Sequence, residues 1–339
     1  MRYNTSKKIN IVSCLMKIAA LCFCFFLISC KQNGNPAPAQ VASDCIVTDK
    51  AKLESITIFP ASNLLNQDIS SLTVDTRSAG IISFLGTTGL HADFGSGLYN
   101  GVPIGIPFIL VCGTQQKIPI LFRANSYDGN YGSESDAGPY PIPLSAPIEG
   151  NGTGDSHVLA VDIDNKVLYE LYNASVTSGK WGASAGSVWD LKTNVTRPAG
   201  WTSCDAAGLP ILPCLVRYEE VLKGTIDHAI RFTLSKAKVM TGYTAPANHK
   251  VTGSNTNAAI PTPMGLRLRL KASISLSGYS AANQAILTAM KKYGIILADI
   301  GSDFFISGAP DERWDNNDLQ QLKNIKASDF EVVPIGTIL

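Results

Sequence analysis

The stretch HVLAVDIDNKVLYELYNAS at residues 157–175 constrains the fold of this chain more than any other. Apolar residues recur at alternate positions on both sides of Asp164 and Asn165, a pair that tolerates the left-handed backbone of a tight turn. A period of two belongs to strands, so the stretch predicts an antiparallel hairpin. His157, Leu159 and Val161 share one face, and Val158, Ala160 and Asp162 share the other. In the return strand Leu168, Glu170 and Tyr172 point together, which sets Glu170 among apolar neighbours.

The same alternation recurs along the chain. In IDHAIRFTL, residues 226–234, the row Ile226, Ile230, Phe232 and Leu234 is interrupted by His228. In GLRLRLKAS, Leu266, Leu268 and Leu270 alternate with Arg267, Arg269 and Lys271. SITIFP, GIISFLG, IPFILVCG and KIPILFRA add strand candidates between residues 53 and 122, and IILAD with DFFIS predicts a hairpin around IGS. Helical spacing is rarer. LVRYEEVLKG repeats Leu215, Tyr218 and Leu222 and ends at Gly224. SAANQAILTAMKKYG opens on Ser280 and carries Lys291 and Lys292 in its last turn, and a short helix is expected from 317 to 326. Many short strands, with 29 Gly and 18 Pro to turn between them, predict a mainly β fold. We expect a two-sheet sandwich or jelly-roll-like domain with a few helical insertions over residues 45–339. A smaller N-terminal lobe over 45–150 is compatible with the proline-rich loop that follows residue 125.

Residues 1–29 read as an export signal. Lys7, Lys8 and Lys17 precede the apolar run IAALCFCFFLIS, which falls short of the about 20 residues a membrane span needs. The run ends in LISC, the pattern of a lipobox, which predicts cleavage before Cys30 and a lipid on its thiol. Residues 30–44, rich in Pro, Gly and Ala, read as a flexible tether. The chain is then expected to be anchored to a membrane without spanning it, and Lys31 after the cysteine favours the outer membrane. Charged residues make up 16% and the net charge is +1, so no bulk field recruits nucleic acid.

Cys45, Cys112, Cys204 and Cys214 follow the lipidation site. An even number in an exported chain suggests Cys204–Cys214, across the loop CDAAGLPILPC, and Cys45–Cys112; four buried thiols are the alternative. No spacing resembles a zinc or iron–sulfur site, and the need for a cofactor stays open.

His228 and His157 are candidate acids or bases, Asp155 being placed to orient His157, and Glu170 and Asp162 are candidate carboxylates of glycoside hydrolysis. Each also has an ordinary structural reading, as do Glu219 and Glu220 on the 215–224 helix. Arg267, Arg269 and Lys271, about 7 Å apart along a strand, could meet an anionic polymer or form a solvated face. GASAG at 182–186 matches G-x-S-x-G around Ser184, but no buried strand precedes it.

Several blocks resemble a family of uncharacterised secreted proteins, mostly bacterial with fungal members. They are SDAGPYPIPLSAPIEG, GDSHVLAVDIDNKVLYELYNA, RPAGWTSCDAAGLPILPCLVRYEEV, IDHAIRF, MGLRLRLKAS and MKKYGIILADIGSDFFISGAPDERWDNNDL, spanning most of residues 90–332. The resemblance implies one extended globular module and confers no mechanism. Its motif positions are His157, Asp162, Glu170, Asp205, Arg217, His228, Arg231, Asp311 and Trp314. Ser156 stands where the family has a basic residue. Cys204 and Cys214 stand where small residues are commoner, in keeping with an optional local disulfide.

These features together suggest an exported lipoprotein acting on polysaccharide, either a glycoside hydrolase or a uronate lyase with His228 or His157 as base. Arg217, Arg231, Arg267, Arg269, Lys271 and Trp314 would bind substrate, with Tyr127 and Tyr131 as further loop aromatics. The alternative is a glycan-binding or envelope-structural lipoprotein without catalysis. An esterase through Ser184 is a third.

Overall fold

Two sheets meet over a common core. The computed structural model describes residues 44–123 and 131–339. The expected signal segment, the expected lipidation site Cys30, the expected tether up to residue 43 and Tyr127 lie outside them. The first sheet runs in the order Ile46–Val47, Phe108–Val111, Val158–Asp162, Val167–Tyr172 and Ala185–Asp190. The expected hairpin is its centre, with Leu159 opposite Glu170 and Val161 opposite Leu168. Alternation sorts its residues cleanly. Leu159, Val161 and Leu168 enter the main core, whereas Val158, Ala160 and Leu171 pack with Tyr140, Ile142 and Trp181 in a second one. Over that second face lies a small sheet of Ile120–Phe122, Lys180–Ala183 and Ser175–Thr177.

The second large sheet has the order Phe330–Val332, Arg267–Leu270, Ile295–Ile300, Ile230–Leu234, Phe305–Ser307 and His91–Asp93. Ile295–Ile300 and Phe305–Ser307 do not form the expected hairpin, because Ile230–Leu234 lies between them, parallel to the first and antiparallel to the second. The fold is mainly β, with short helices set against the sheets. Ala281–Lys292 is the longest helix, opened by Ser280, whose hydroxyl accepts the Asn283 N–H at 3.1 Å. Tyr218–Lys223 is the other expected helix, closed by Gly224 at φ 84°. GIISFLG is helical too, within Ser78–Leu85, because Ile81 and Leu85 lie four residues apart and both reach the core. SITIFP forms no strand; the 3₁₀ turn Lys50–Ser55 ends on its first residue.

Cys45 and Cys112 form a disulfide beside the pairing of Ile46 with Val111. It closes a long loop and should stabilise the fold by about 2–4 kcal/mol. Cys204 and Cys214 are unbridged and buried, which corrects the expectation of a second disulfide. The Cys204 sulfur turns towards Ser187 Oγ and the Ala185 carbonyl instead of towards Cys214. Burial pushes the Cys214 thiol up to about 12 and Cys204 well above its ordinary value, so both are inert packing groups.

Candidate functional site: a carboxylate-lined cleft

A register shift in the second sheet builds the site. Along the parallel pair, Arg231 lies opposite Ile296 and Phe232 opposite Leu297, but Thr233 lies opposite Asp299. Ala298 is the extra residue. Without this bulge Ala298 would follow Ile296 onto the face that carries Arg231 and Thr233; with it, Asp299 takes that place. Asp299 Oδ2 comes within 3.7 Å of Arg231 Nη2.

Arg231 is anchored from behind. Its Nε and Nη2 donate to Asp205 Oδ2 at 3.1 and 2.8 Å, and its Nη1 donates to Ser307 Oγ at 2.8 Å. The Asp205 side chain is 0% exposed, whereas that of Asp299 is 26% exposed. Burial would lower the Arg231 guanidinium, but Asp205 and Asp299 carry it above its ordinary value. Burial, then the charge of Asp205, pushes the Asp299 carboxyl up to about 7, and Asp155 adds to the effect.

The first sheet supplies the opposite wall. His157, just before Val158–Asp162, donates from Nδ1 to Glu149 Oε2 at 2.5 Å and from Nε2 to the Cys204 carbonyl at 2.9 Å. Both partners are acceptors, so both ring nitrogens carry protons and the group is an imidazolium. Burial alone would depress it, but the charge and hydrogen bond of Glu149 hold it at about 9. Burial would likewise raise Glu149, and His157 keeps it below its ordinary value.

That shift has a consequence for stability. The folded imidazole holds its proton more tightly than the unfolded one, whose pKa is 6.5. The gap is worth roughly 3 kcal/mol. This contribution is complete below pH 6.5 and is lost as pH rises through about 9. Urea unfolding of the wild type and of His157→Gln should show the difference in stability shrinking by roughly 3 kcal/mol between pH 6 and pH 10. A difference that stays constant would mean that the ring is neutral.

Asp155, His157 and Asp299 line two hollows at once. One, of about 450 Å³, is completed by Asp93, Glu149 and Tyr99; the other, of about 150 Å³, by Tyr131, Tyr172 and Asp205. Tyr99 is 68% exposed on the two-stranded ribbon Leu98–Tyr99 and Val102–Pro103.

The other expected site residues are dispersed. Glu170 is wholly buried and lines neither of these hollows. Its oxygens accept the N–H groups of Ile211 and Leu212, the indole N–H of Trp189 and the Ser187 hydroxyl, pinning the 204–214 loop to the sheet. Burial pushes it up to about 7, but no substrate can reach it. Asp162 closes the hairpin turn by accepting from the backbone and side chain of Asn165. Neither is placed for catalysis.

His228 lines a separate hollow of about 390 Å³, with Glu54, Arg217, Glu220 and Tyr293. Its Nε2 meets Glu220 Oε1 at 3.0 Å and its Nδ1 the Ala229 carbonyl at 2.8 Å, so neither nitrogen is free for substrate. Arg217 pairs with Glu220 and Glu54, a closed network that ties the Tyr218–Lys223 helix to the N-terminal segment.

The cationic row is not an exposed face along which a polymer could lie. Arg267 and Arg269 are each 7% exposed and donate to backbone carbonyls between Leu64 and Leu72, a segment laid over them. Lys271 reaches the Ser328 carbonyl. Trp314 is buried between Phe94 and Tyr218, with its indole N–H on the Ala309 carbonyl. Ser184, also buried, sits between two strands and accepts from Asn173 Nδ2, with no helix behind it.

Asp299, Glu149 and Asp93 escape the sequence reading. The one available signal was a carboxylate closing the apolar run IILAD. Among the described residues no cluster of metal-ligating side chains occurs. Nor is any helix there long and apolar enough to cross a membrane. Comparison with family models, with curated proteins and with solved structures finds no match to this chain.

Proposed function

We propose that this chain is an exported lipoprotein, anchored through Cys30 in the outer membrane, whose cleft hydrolyses a glycan. The observation that carries the reading is one pair of carboxylates in unlike surroundings. Asp299, largely shielded beside Asp205, holds its proton to about pH 7, while Asp155 is exposed on the wall of the same hollows. Two acids in such unlike settings, one shielded and one exposed, can divide the work, one protonating the leaving oxygen and the other acting as nucleophile or as base towards water. Asp299 takes the first role and Asp155 the second. Tyr99 at the rim offers an apolar ring face on which a sugar can stack.

Elimination from a uronate is the weaker reading. Both histidines have their nitrogens engaged, and the guanidinium in the cleft is already paired with Asp205. The carboxylates Asp93, Glu149, Asp155 and Asp299 outnumber the cations His157 and Arg231, so neutral glycans suit the cleft better than acidic ones.

The test is a panel of neutral and acidic glycans, with reducing ends measured alongside the absorbance of unsaturated uronates. Reducing ends from neutral glycans without unsaturated product are expected. Retention of glycan with no product would reduce the cleft to a binding site. The anchor is tested separately: Cys30→Ser should move the exported protein from the detergent phase into the aqueous phase on partition, and an unchanged distribution would refute it.

A further inference from the structure

Arg267 and Arg269 stand two residues apart on one strand, yet only one has a counter-ion. Arg269 donates to Glu331 Oε1 at 2.9 and 2.6 Å in addition to its backbone carbonyls. Arg267 forms no ion pair with any described carboxylate. Its Nε donates to the Tyr293 carbonyl at 2.7 Å and its Nη1 to Leu64, while its Nη2 only grazes the Leu65 and Gln67 carbonyls at 3.4 Å. Burial without a compensating charge pulls the group down to about 10. An uncompensated buried cation is costly, and a guanidinium fork fits an oxyanion.

A hollow of about 90 Å³ opens beside it, lined by Arg267, Thr244, Gln67 and Gly336 among apolar neighbours such as Leu64 and Pro334. Thr244 is 3% exposed, and its hydroxyl has no hydrogen-bond partner. A Cβ at position 336 would come within 3.2 Å of that hydroxyl, so Gly336 leaves the space in front of it free. Asp75, which takes the Ile335 N–H on this wall, is already paired with Arg77.

We propose that this hollow binds a small oxyanion, a phosphate, a sulfate or a carboxylate group, between the Arg267 guanidinium and the Thr244 hydroxyl. The cavity holds about three waters' volume, enough for such a group and too little for a sugar or a nucleotide. It shares no lining residue with the carboxylate cleft and does not depend on the glycan reading.

The test is thermal unfolding of the exported chain in sodium phosphate, sulfate or acetate, against chloride at matched ionic strength. The preferred anion should raise the melting temperature by about 2 °C for each tenfold increase above its dissociation constant. The ranking of the three separates tetrahedral anions from carboxylates. Thr244→Val removes a hydroxyl that bonds to nothing, so its melting temperature in chloride should match or exceed that of the wild type. Its response to the anion should weaken about tenfold in concentration. Gly336→Ala should block the site by filling it. No rise beyond chloride in the wild type, or wild-type responses in both variants, would overturn the assignment.

Discussion

Arg231→Met should lower the unfolding free energy by about 3–5 kcal/mol, because it leaves a buried carboxylate without its cation. Asp205 is wholly enclosed, and of its donors only the Ala207 N–H, at 2.9 Å on Oδ1, would remain beside the Ser203 loop. Arg231 also holds Ser307 and faces Asp299, so its loss exposes two acids to one another as well as to the low dielectric. The cost should shrink as pH falls through the carboxylate range, since protonation removes the charge that has become unpaired. The double variant Arg231→Met with Asp205→Asn should recover a large part of the loss, because the amide can still accept from Ala207 and carries no charge. Urea unfolding of the wild type, Arg231→Met, Asp205→Asn and the double variant at pH 5 and pH 8 checks this. A double variant less stable than Arg231→Met alone would mean that the methionine destabilises by poor packing and that the pair is not the cause.

The parts of the fold that the sequence reveals are those governed by neighbours. The hairpin at 157–175 is legible because its period and its turn residues lie in one short window, and the helices Ala281–Lys292 and Tyr218–Lys223 because Ser280 opens the first and Gly224 closes the second. Short apolar runs are not legible. GIISFLG fits a strand or a helix until Ile81 and Leu85 find the core on one side. The supposed hairpin of IILAD and DFFIS fails because a strand from far earlier in the chain, Ile230–Leu234, is inserted between them. Alternation likewise placed Arg267, Arg269 and Lys271 on one face but could not tell what covers that face, which is the 64–72 segment. The site divides in the same way. His157 could be named from its setting and Arg231 from the family resemblance, but Glu170 and Asp299 look alike in sequence, each an acid among aliphatic residues. What separates them is non-local. Four donors seal Glu170, while a one-residue bulge turns Asp299 towards solvent.

Asp299 therefore carries the largest expected effect on activity. If it protonates the leaving oxygen, Asp299→Asn should lower kcat on a natural glycan by about 10²–10⁴-fold while leaving KM within a few-fold. The pH profile supplies the sign. The acid works only when protonated, and burial beside Asp205 holds it at about 7, so the wild-type rate should fall as pH rises through about 7. That limb should vanish from the residual activity of Asp299→Asn. An aryl glycoside, whose phenolate departs without help, should lose far less than a sugar leaving group when Asp299 is changed. Asp155→Asn should impair both substrates alike, since the attack on the anomeric carbon is needed in either case. A merely structural role for Asp299 would lower both substrates together and leave the alkaline limb where it was. The asparagine keeps the shape of the side chain, and its neighbour Arg231 keeps Asp205, so the fold should survive the change. The contrast between the two leaving groups is then a property of the chemistry, and it separates an acid–base cleft from a polar hollow that only resembles one.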